Sequence, residues 1–156
     1  MTPAIKLLES QKIRFTLHTY AHDEAAEQFG LEAAEKLGVP AERVFKTLVA
    51  QTDENKLVFA IVPSAARLNL KQLAAAVGAK RAALADPKLA EKTTGYVVGG
   101  ISPLGGKKQL ATVVDASANG HATIFVSAGR RGLQVELMPA DLVRLTRAVL
   151  AAITGI

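Results

Sequence analysis

The sequence predicts an α+β domain whose mixed strand order suits a curved or closed sheet with helices packed around it. Three observations carry that expectation. Apolar residues alternate with polar ones in several short runs, which is the pattern of half-buried strands. Helical signatures with caps fall singly between those runs rather than in a regular βαβ repeat. Four glycines and a proline cluster at Gly95–Gly105, and two glycines recur in Ser127–Gly132, where an apolar chain has to turn.

Each element follows from local chemistry. Thr2 is placed to cap a first helix with Pro3 at its first position and Ile5, Leu7 and Leu8 on its apolar side. Ile13, Phe15 and Leu17 then share one face of a strand, and Arg14, Thr16, His18 and Tyr20 the other. A polar loop from Ala21 to Gln28 leads to a helix near Leu31–Leu37, stopped by Gly38 and Pro40. Val44–Gln51 and Lys56–Val62 read as antiparallel strands joined by the turn Thr52-Asp-Glu-Asn55. Asn69 and Gln72 form a capping box before Leu70, Leu73, Ala74 and Val77, and Gly78 ends that helix.

Beyond it lie a short strand near Arg81–Ala85 and a small helix over Lys88–Lys92 opened by Asp86-Pro87. Strands are expected at Leu110–Asp115, Ala122–Ser127 and Leu133–Met138. In the last, Leu133, Val135 and Leu137 alternate with Gln134, Glu136 and Met138. Pro139-Ala-Asp141 starts a terminal helix expected to run to about Ile153. No repeat or linker divides the 156 residues, so residues 1–156 are read as one domain, long enough to bury a substantial core.

Composition narrows the chemistry. The chain has no cysteine, which removes disulfides, thiolate metal sites and a cysteine nucleophile of its own. Met1-Thr-Pro-Ala-Ile-Lys lacks the apolar core of a secretory leader, and no apolar run reaches the roughly 18 residues of a membrane span, so a cytoplasmic location and no membrane partner are expected. The net charge of +5 suits a polyanion such as RNA but is also ordinary for a globular domain. Trp is absent and aromatics are few, against a broad base-stacking platform.

His18, His22 and His121 do not form a metal-ligand pattern, so neither metal nor cofactor is expected. No Gly-x-Ser-x-Gly elbow surrounds Ser64, Ser102 or Ser127, and no Gly-Lys-Ser/Thr follows the glycines. Lys46 stands in the apolar frame Val44-Phe-Lys-Thr-Leu-Val49, on a face with Val44, Leu48 and Ala50; such a lysine either snorkels to water or serves a ligand. Gly99 and Gly100 could aim backbone N–H groups at an oxygen, or simply shape a turn. Arg130 and Arg131 read as a solvated pair at a hairpin tip or as phosphate ligands, and Tyr20 as a residue closing a pocket rim.

Together Met1–Ile5, His18–Tyr20, Glu32–Gly38, Phe45-Lys-Thr-Leu48, Thr94–Gly105 and Ser127–Gly132 resemble the YbaK/EbsC family of aminoacyl-tRNA deacylases, related to the editing insertion of bacterial prolyl-tRNA synthetase. The segments span nearly the whole chain, and the resemblance is strongest to the YbaK branch, the Cys-tRNA(Pro) deacylases. It implies a mixed, barrel-like β-sheet surrounded by helices, and a trans-editing enzyme that hydrolyses mischarged Cys-tRNA(Pro), with tRNA(Pro) and prolyl-tRNA synthetase as partners. It also implies a catalytic role for Lys46 and substrate contacts from Tyr20, Gly99, Gly100, Ser127 and Gly129. The implied mechanism is substrate-assisted: the thiol of the esterified cysteine attacks its own carbonyl. Two alternatives stay open, a deacylase for another small amino acid such as alanine, and a tRNA- or synthetase-binding module without turnover. Ala128, where the family often has glycine, and Arg130, where it often has lysine, depart from the pattern.

Overall fold

A computed structural model describes residues 1–155. The element order is α1 (Pro3–Ser10), β1 (Phe15–Thr19), α2 (Phe29–Leu37), β2 (Phe45–Thr52), β3 (Leu57–Pro63), α3 (Leu70–Ala76), β4 (Ala82–Leu84), α4 (Pro87–Thr94), β5 (Ala111–Asp115), β6 (Ile124–Arg130), β7 (Leu133–Leu137), α5 (Pro139–Thr146) and β8 (Val149–Ala151). The caps are those the residues foretell. Thr2, Asn69 and Asp86 side chains accept from the first-turn N–H groups of α1, α3 and α4, and Gly38 ends α2 in the left-handed region.

The strands form two sheets. One is antiparallel in the order β1-β7-β6; the other is mixed, in the order β4-β2-β3-β5-β8, with β3, β5 and β8 parallel. The class is α+β as expected, but the barrel-like curl stops short of closure. The two sheets touch through a single parallel bridge, Val44↔Phe125, after which β2 and β6 part. The main core fills the space between the sheets, where Phe45, Ile61 and Val114 meet Ile124, Val126, Val135 and Leu137 under α1 and α5. A second layer, with Leu73 of α3 on Ala50, Val58, Ala60 and Val62, covers the far face of the mixed sheet.

The bridge is pinned by charge. Glu136 of β7 accepts from Arg43, just before β2, at 3.2 Å and bonds His18 of β1 at 2.9 Å. The Arg43 guanidinium also lies 5.0 Å from the centre of the Phe125 ring. This cluster sets the point from which the sheets diverge.

Two expectations change. The C-terminal helix ends at Thr146 rather than near Ile153, with Arg147 in the left-handed region at φ 54°, and Val149–Ala151 becomes β8 beside β5. In β1 the alternation is weaker than expected: Leu17 is exposed, because β1 is an edge strand with no neighbour beyond it.

Candidate active site

The cavity, of about 370 Å³, lies where β2 and β6 separate. β4 pairs only with Ala50–Thr52 of β2, and the one β-bridge to β6 among the described residues is at Val44, just before β2, so the stretch between has an edge without ladder partners on that side. Five consecutive residues, Phe45 to Val49, therefore line the cavity, although alternation sends Lys46 and Leu48 to one side of the sheet and Thr47 and Val49 to the other. Lys46 enters around the strand edge. The remaining walls come from the start of α2 (Gln28, Phe29, Gly30), from Pro87 and Ala90 of α4, from Val98, Gly99 and Ile101, and from Ser127 and Gln134 of the antiparallel sheet.

Lys46 is the one cation lining the cavity among the described residues, and no hydrogen bond or ion pair holds its ammonium there. Burial pulls its pKa below the usual lysine value of 10.5, since the charged form loses water without gaining a counter-ion. Two further groups lack a partner. Thr47 Oγ1 and Gln134 Oε1 are the buried side-chain polar atoms with none among the described residues, and both residues line this cavity. Buried polar atoms are ordinarily satisfied, so two left open in the lining of one cavity mark a place suited to a polar ligand.

The two glycine-bearing loops meet at the same wall. Ser127 Oγ donates to the Gly100 carbonyl at 3.0 Å and accepts from the Gly129 N–H at 3.2 Å. Gly100 itself donates to the Val97 carbonyl, so its N–H is already engaged, whereas the Gly99 N–H has no partner among the described residues. A side chain at Gly100 would run into the Arg130 backbone at 2.6 Å; that close approach is why glycine is needed there. Of the six site residues expected, Lys46, Gly99 and Ser127 thus line the cavity. Gly100 and Gly129 lie directly behind Ser127, hydrogen-bonded to it. Tyr20 stands one step further out, packed on Ala33, Ala34 and Phe125, with its hydroxyl held by the Gly132 backbone and the Gln134 side chain. Burial raises the Tyr20 pKa above 10.0.

Thr47, Phe29 and Gln134 were not foreseen as site residues. A threonine in the apolar run of β2 is a weak signal. Gln134 looked like a solvent-facing position, but β7 is the central strand of its sheet and both its faces are covered. Phe29 belongs to a clasp over the cavity. Its ring lies between the His22 ring, at 5.8 Å, and the Arg131 guanidinium, at 4.8 Å, and Arg131 Nε donates to the Val98 carbonyl at 2.9 Å. Glu32 anchors the loop beneath by accepting from His22 Nδ1 and the Asp23 N–H, both at 2.7 Å, and from Lys36. Among the described residues no group of three or more His, Cys, Asp or Glu side chains could hold a metal ion, and no helix is long and apolar enough to cross a membrane.

Fold and cavity define a small α+β domain with a pocket lined by a single, partly desolvated lysine among the described residues. The chain belongs to the aminoacyl-tRNA editing domain family, whose model matches residues 23–145. It is thus an editing enzyme, a deacylase of aminoacyl-tRNA, as the motif resemblance implied. It is 39% identical over 154 residues to an Enterococcus faecalis (strain ATCC 700802 / V583) protein named "Putative Cys-tRNA(Pro)/Cys-tRNA(Cys) deacylase EbsC", covering 98% of this chain and 93% of that one. Among solved structures, the hypothetical protein APE2540 superposes with a TM-score of 0.87 at 25% identity, covering 99% of this chain and 100% of that one. A structure described as "a putative trans-editing enzyme for prolyl tRNA synthetase" superposes with a TM-score of 0.83 at 21% identity, covering 100% and 99%; at that identity it speaks for the fold.

Proposed function

We propose that this enzyme clears cysteine from mischarged tRNA(Pro) by substrate-assisted release. The observation that carries the reading is the coincidence of Lys46, the free Gly99 N–H and the two open polar atoms, Thr47 Oγ1 and Gln134 Oε1, on one cavity. The aminoacyl-adenosine end of the tRNA enters with its ester between the Gly99 loop and β2. The Lys46 ammonium grips the terminal phosphate or substrate oxygens and orients the ester. Gln134 Oε1 accepts from the substrate's α-ammonium, and Thr47 bonds its polar edge.

The cysteine sulfur then attacks its own carbonyl carbon. A C–S bond forms, the ester C–O bond breaks, and the thiol proton ends on the departing 3′-oxygen of the tRNA, leaving a cyclic thioester. The Gly99 N–H is placed to stabilise charge developing on the carbonyl oxygen. This route needs positioning and fixed dipoles, and no cysteine of the chain's own. Such release complements a synthetase that cannot separate two similarly sized amino acids by binding alone. Prolyl-tRNA synthetase is the partner that supplies tRNA selection.

The test is single-turnover deacylation of cysteinyl-tRNA(Pro) by the wild type and by Lys46→Ala. The variant is expected to lose at least about 100-fold, and equal rates would remove Lys46 from the mechanism. Replacing the esterified cysteine by serine is expected to slow release sharply, since a hydroxyl is the weaker nucleophile; comparable rates on serine or alanine esters would favour a general small-amino-acid deacylase. Salt-sensitive tRNA binding with no ester cleavage would instead favour a binding module.

A further inference from the structure

Charge is unevenly spread along this chain. Four of its five net positive charges fall within residues 80–108, which hold six cations and two acids. Both acids are engaged with the backbone: Asp86 caps α4 through the Lys88 and Leu89 N–H groups, and Glu91 accepts from the Val98 N–H at 2.8 Å. The cations, Lys80, Arg81, Lys88, Lys92, Lys107 and Lys108, are all exposed, and no carboxylate lies in ion-pair contact with any of them among the described residues.

Part of this charge, Lys88 and Lys92, is carried by α4, which also forms a wall on one flank of the cavity. Pro87 and Ala90 of α4 form part of the cavity wall. Leu89 and Thr93, on another side of the same helix, line a shallow depression of about 720 Å³ together with Lys56 and Lys108; Glu54 is its one acidic lining residue. The two concavities therefore share α4 as a common wall, a helix whose eight residues span about 12 Å along its axis. Lys107 closes the far end of the helix by donating its N–H to the Thr94 carbonyl. Resting on the reading of the cavity as an aminoacyl-tRNA site, we propose that this flank holds the phosphate backbone of the tRNA acceptor end whose terminal adenosine enters the cavity. Lys56 and Lys108 in the lining of the depression, with the exposed Lys88 and Lys92 on α4, suit phosphates followed by charge rather than bases read by sequence.

The experiment compares the wild type with the variant Lys88→Gln/Lys92→Gln/Lys107→Gln/Lys108→Gln and with a control of equal charge change, Lys6→Gln/Lys12→Gln/Arg14→Gln/Lys71→Gln. Binding of cysteinyl-tRNA(Pro) is measured across salt concentrations, and cleavage of the cysteinyl ester of adenosine, which ends inside the cavity, sets each protein's reference rate. The α4 variant is expected to bind tRNA at least about 10-fold more weakly, with a salt slope shallower by about 3 for four lost phosphate contacts. Its tRNA turnover falls relative to its own adenosine-ester rate, while the control stays close to the wild type. An unchanged slope, or an equal loss in the control, overturns the proposal. So does a variant that keeps its tRNA affinity but loses association with prolyl-tRNA synthetase, which would assign the flank to a protein. Failure of the wild type to cleave either ester would instead overturn the reading of the cavity.

Discussion

The Ser127 hydroxyl donates to the Gly100 carbonyl across 27 residues of sequence, at 3.0 Å, and so ties the β6 loop to the glycine-rich loop after α4. The same oxygen receives the Gly129 N–H. One buried hydroxyl therefore fixes the relative position of two loops, one of which brings Gly99 into the cavity lining. Ser127→Ala leaves a carbonyl and an N–H without their partner, at a cost of about 1–3 kcal/mol. Thermal melting is expected to show a Tm lower by several degrees, with slower ester cleavage. An unchanged Tm would mean that the loops hold their geometry without this bond.

Thr47→Val is expected to act in the opposite sense on stability. The Thr47 hydroxyl is buried with no partner among the described residues, so replacing it by a methyl group of similar shape removes a desolvated polar atom without opening a cavity. Its Tm should equal or exceed that of the wild type. Ester cleavage should nevertheless fall by roughly 2–10-fold, the worth of one neutral hydrogen bond. A variant that is both as stable and as active as the wild type would remove Thr47 from substrate binding.

Lys46 carries a related signature in its pH dependence. Burial depresses its folded pKa below the unfolded value of 10.5, so between those two values the unfolded chain binds more protons than the native one. Stability conferred by the neutral amine therefore grows as pH rises through that alkaline window and is absent below it. Lys46→Met removes the buried ammonium, so it should be more stable than the wild type at neutral pH. The gap should narrow as the solution approaches pH 10.5. A constant difference in Tm across that range would show that the ammonium is hydrated in the native state.

Much of this arrangement is legible in the residues, and what is not has physical reasons. The strands around Lys46 and Ser127 follow from alternation and turn chemistry, and the capped helices from their Thr, Asn and Asp residues. The end of α5 does not, because Arg147 takes a left-handed position that glycine usually marks. The apolar run Ala148–Ile153 continues a helical pattern equally well. Only its pairing with β5, more than 30 residues away, makes part of it a strand. The open edge of β2 is likewise invisible locally, since it depends on β4 and β6 stopping where they do. That edge is what lets successive residues reach one cavity.

Glu32 makes the α2 side of the site sensitive to acid. Burial pushes its carboxyl up, but the Asp23 N–H, His22 and Lys36 together outweigh it and hold the pKa at about 2, from an ordinary 4.5. A folded pKa below the unfolded one gives stability that is present above pH 4.5 and lost as pH falls toward 2. Glu32→Gln is expected to flatten that part of the acid-unfolding curve. It should also speed amide hydrogen exchange in residues 21–28 at neutral pH. Identical curves for the two proteins would show that the carboxylate is not what anchors the loop.

Gly99 and Arg131 are coupled through the Phe29 clasp. Gly99 has φ +89°, and a Cβ placed there would stand 2.7 Å from Arg131 Nε and 3.0 Å from the Phe29 ring. Gly99→Ala thus combines two costs: backbone strain in a region that L side chains avoid, about 1–2 kcal/mol, and displacement of the clasp. The first cost is indifferent to Arg131 and the second is not. In an Arg131→Ala background the arginine no longer opposes the new methyl group, so the stability lost on adding Gly99→Ala should shrink without vanishing. A double-mutant cycle read by thermal unfolding measures this directly, with an interaction energy expected above about 0.5 kcal/mol. Additivity within error would show that Gly99 is required for its backbone conformation alone, and that the packing of Arg131 and Phe29 over the cavity does not depend on its missing side chain.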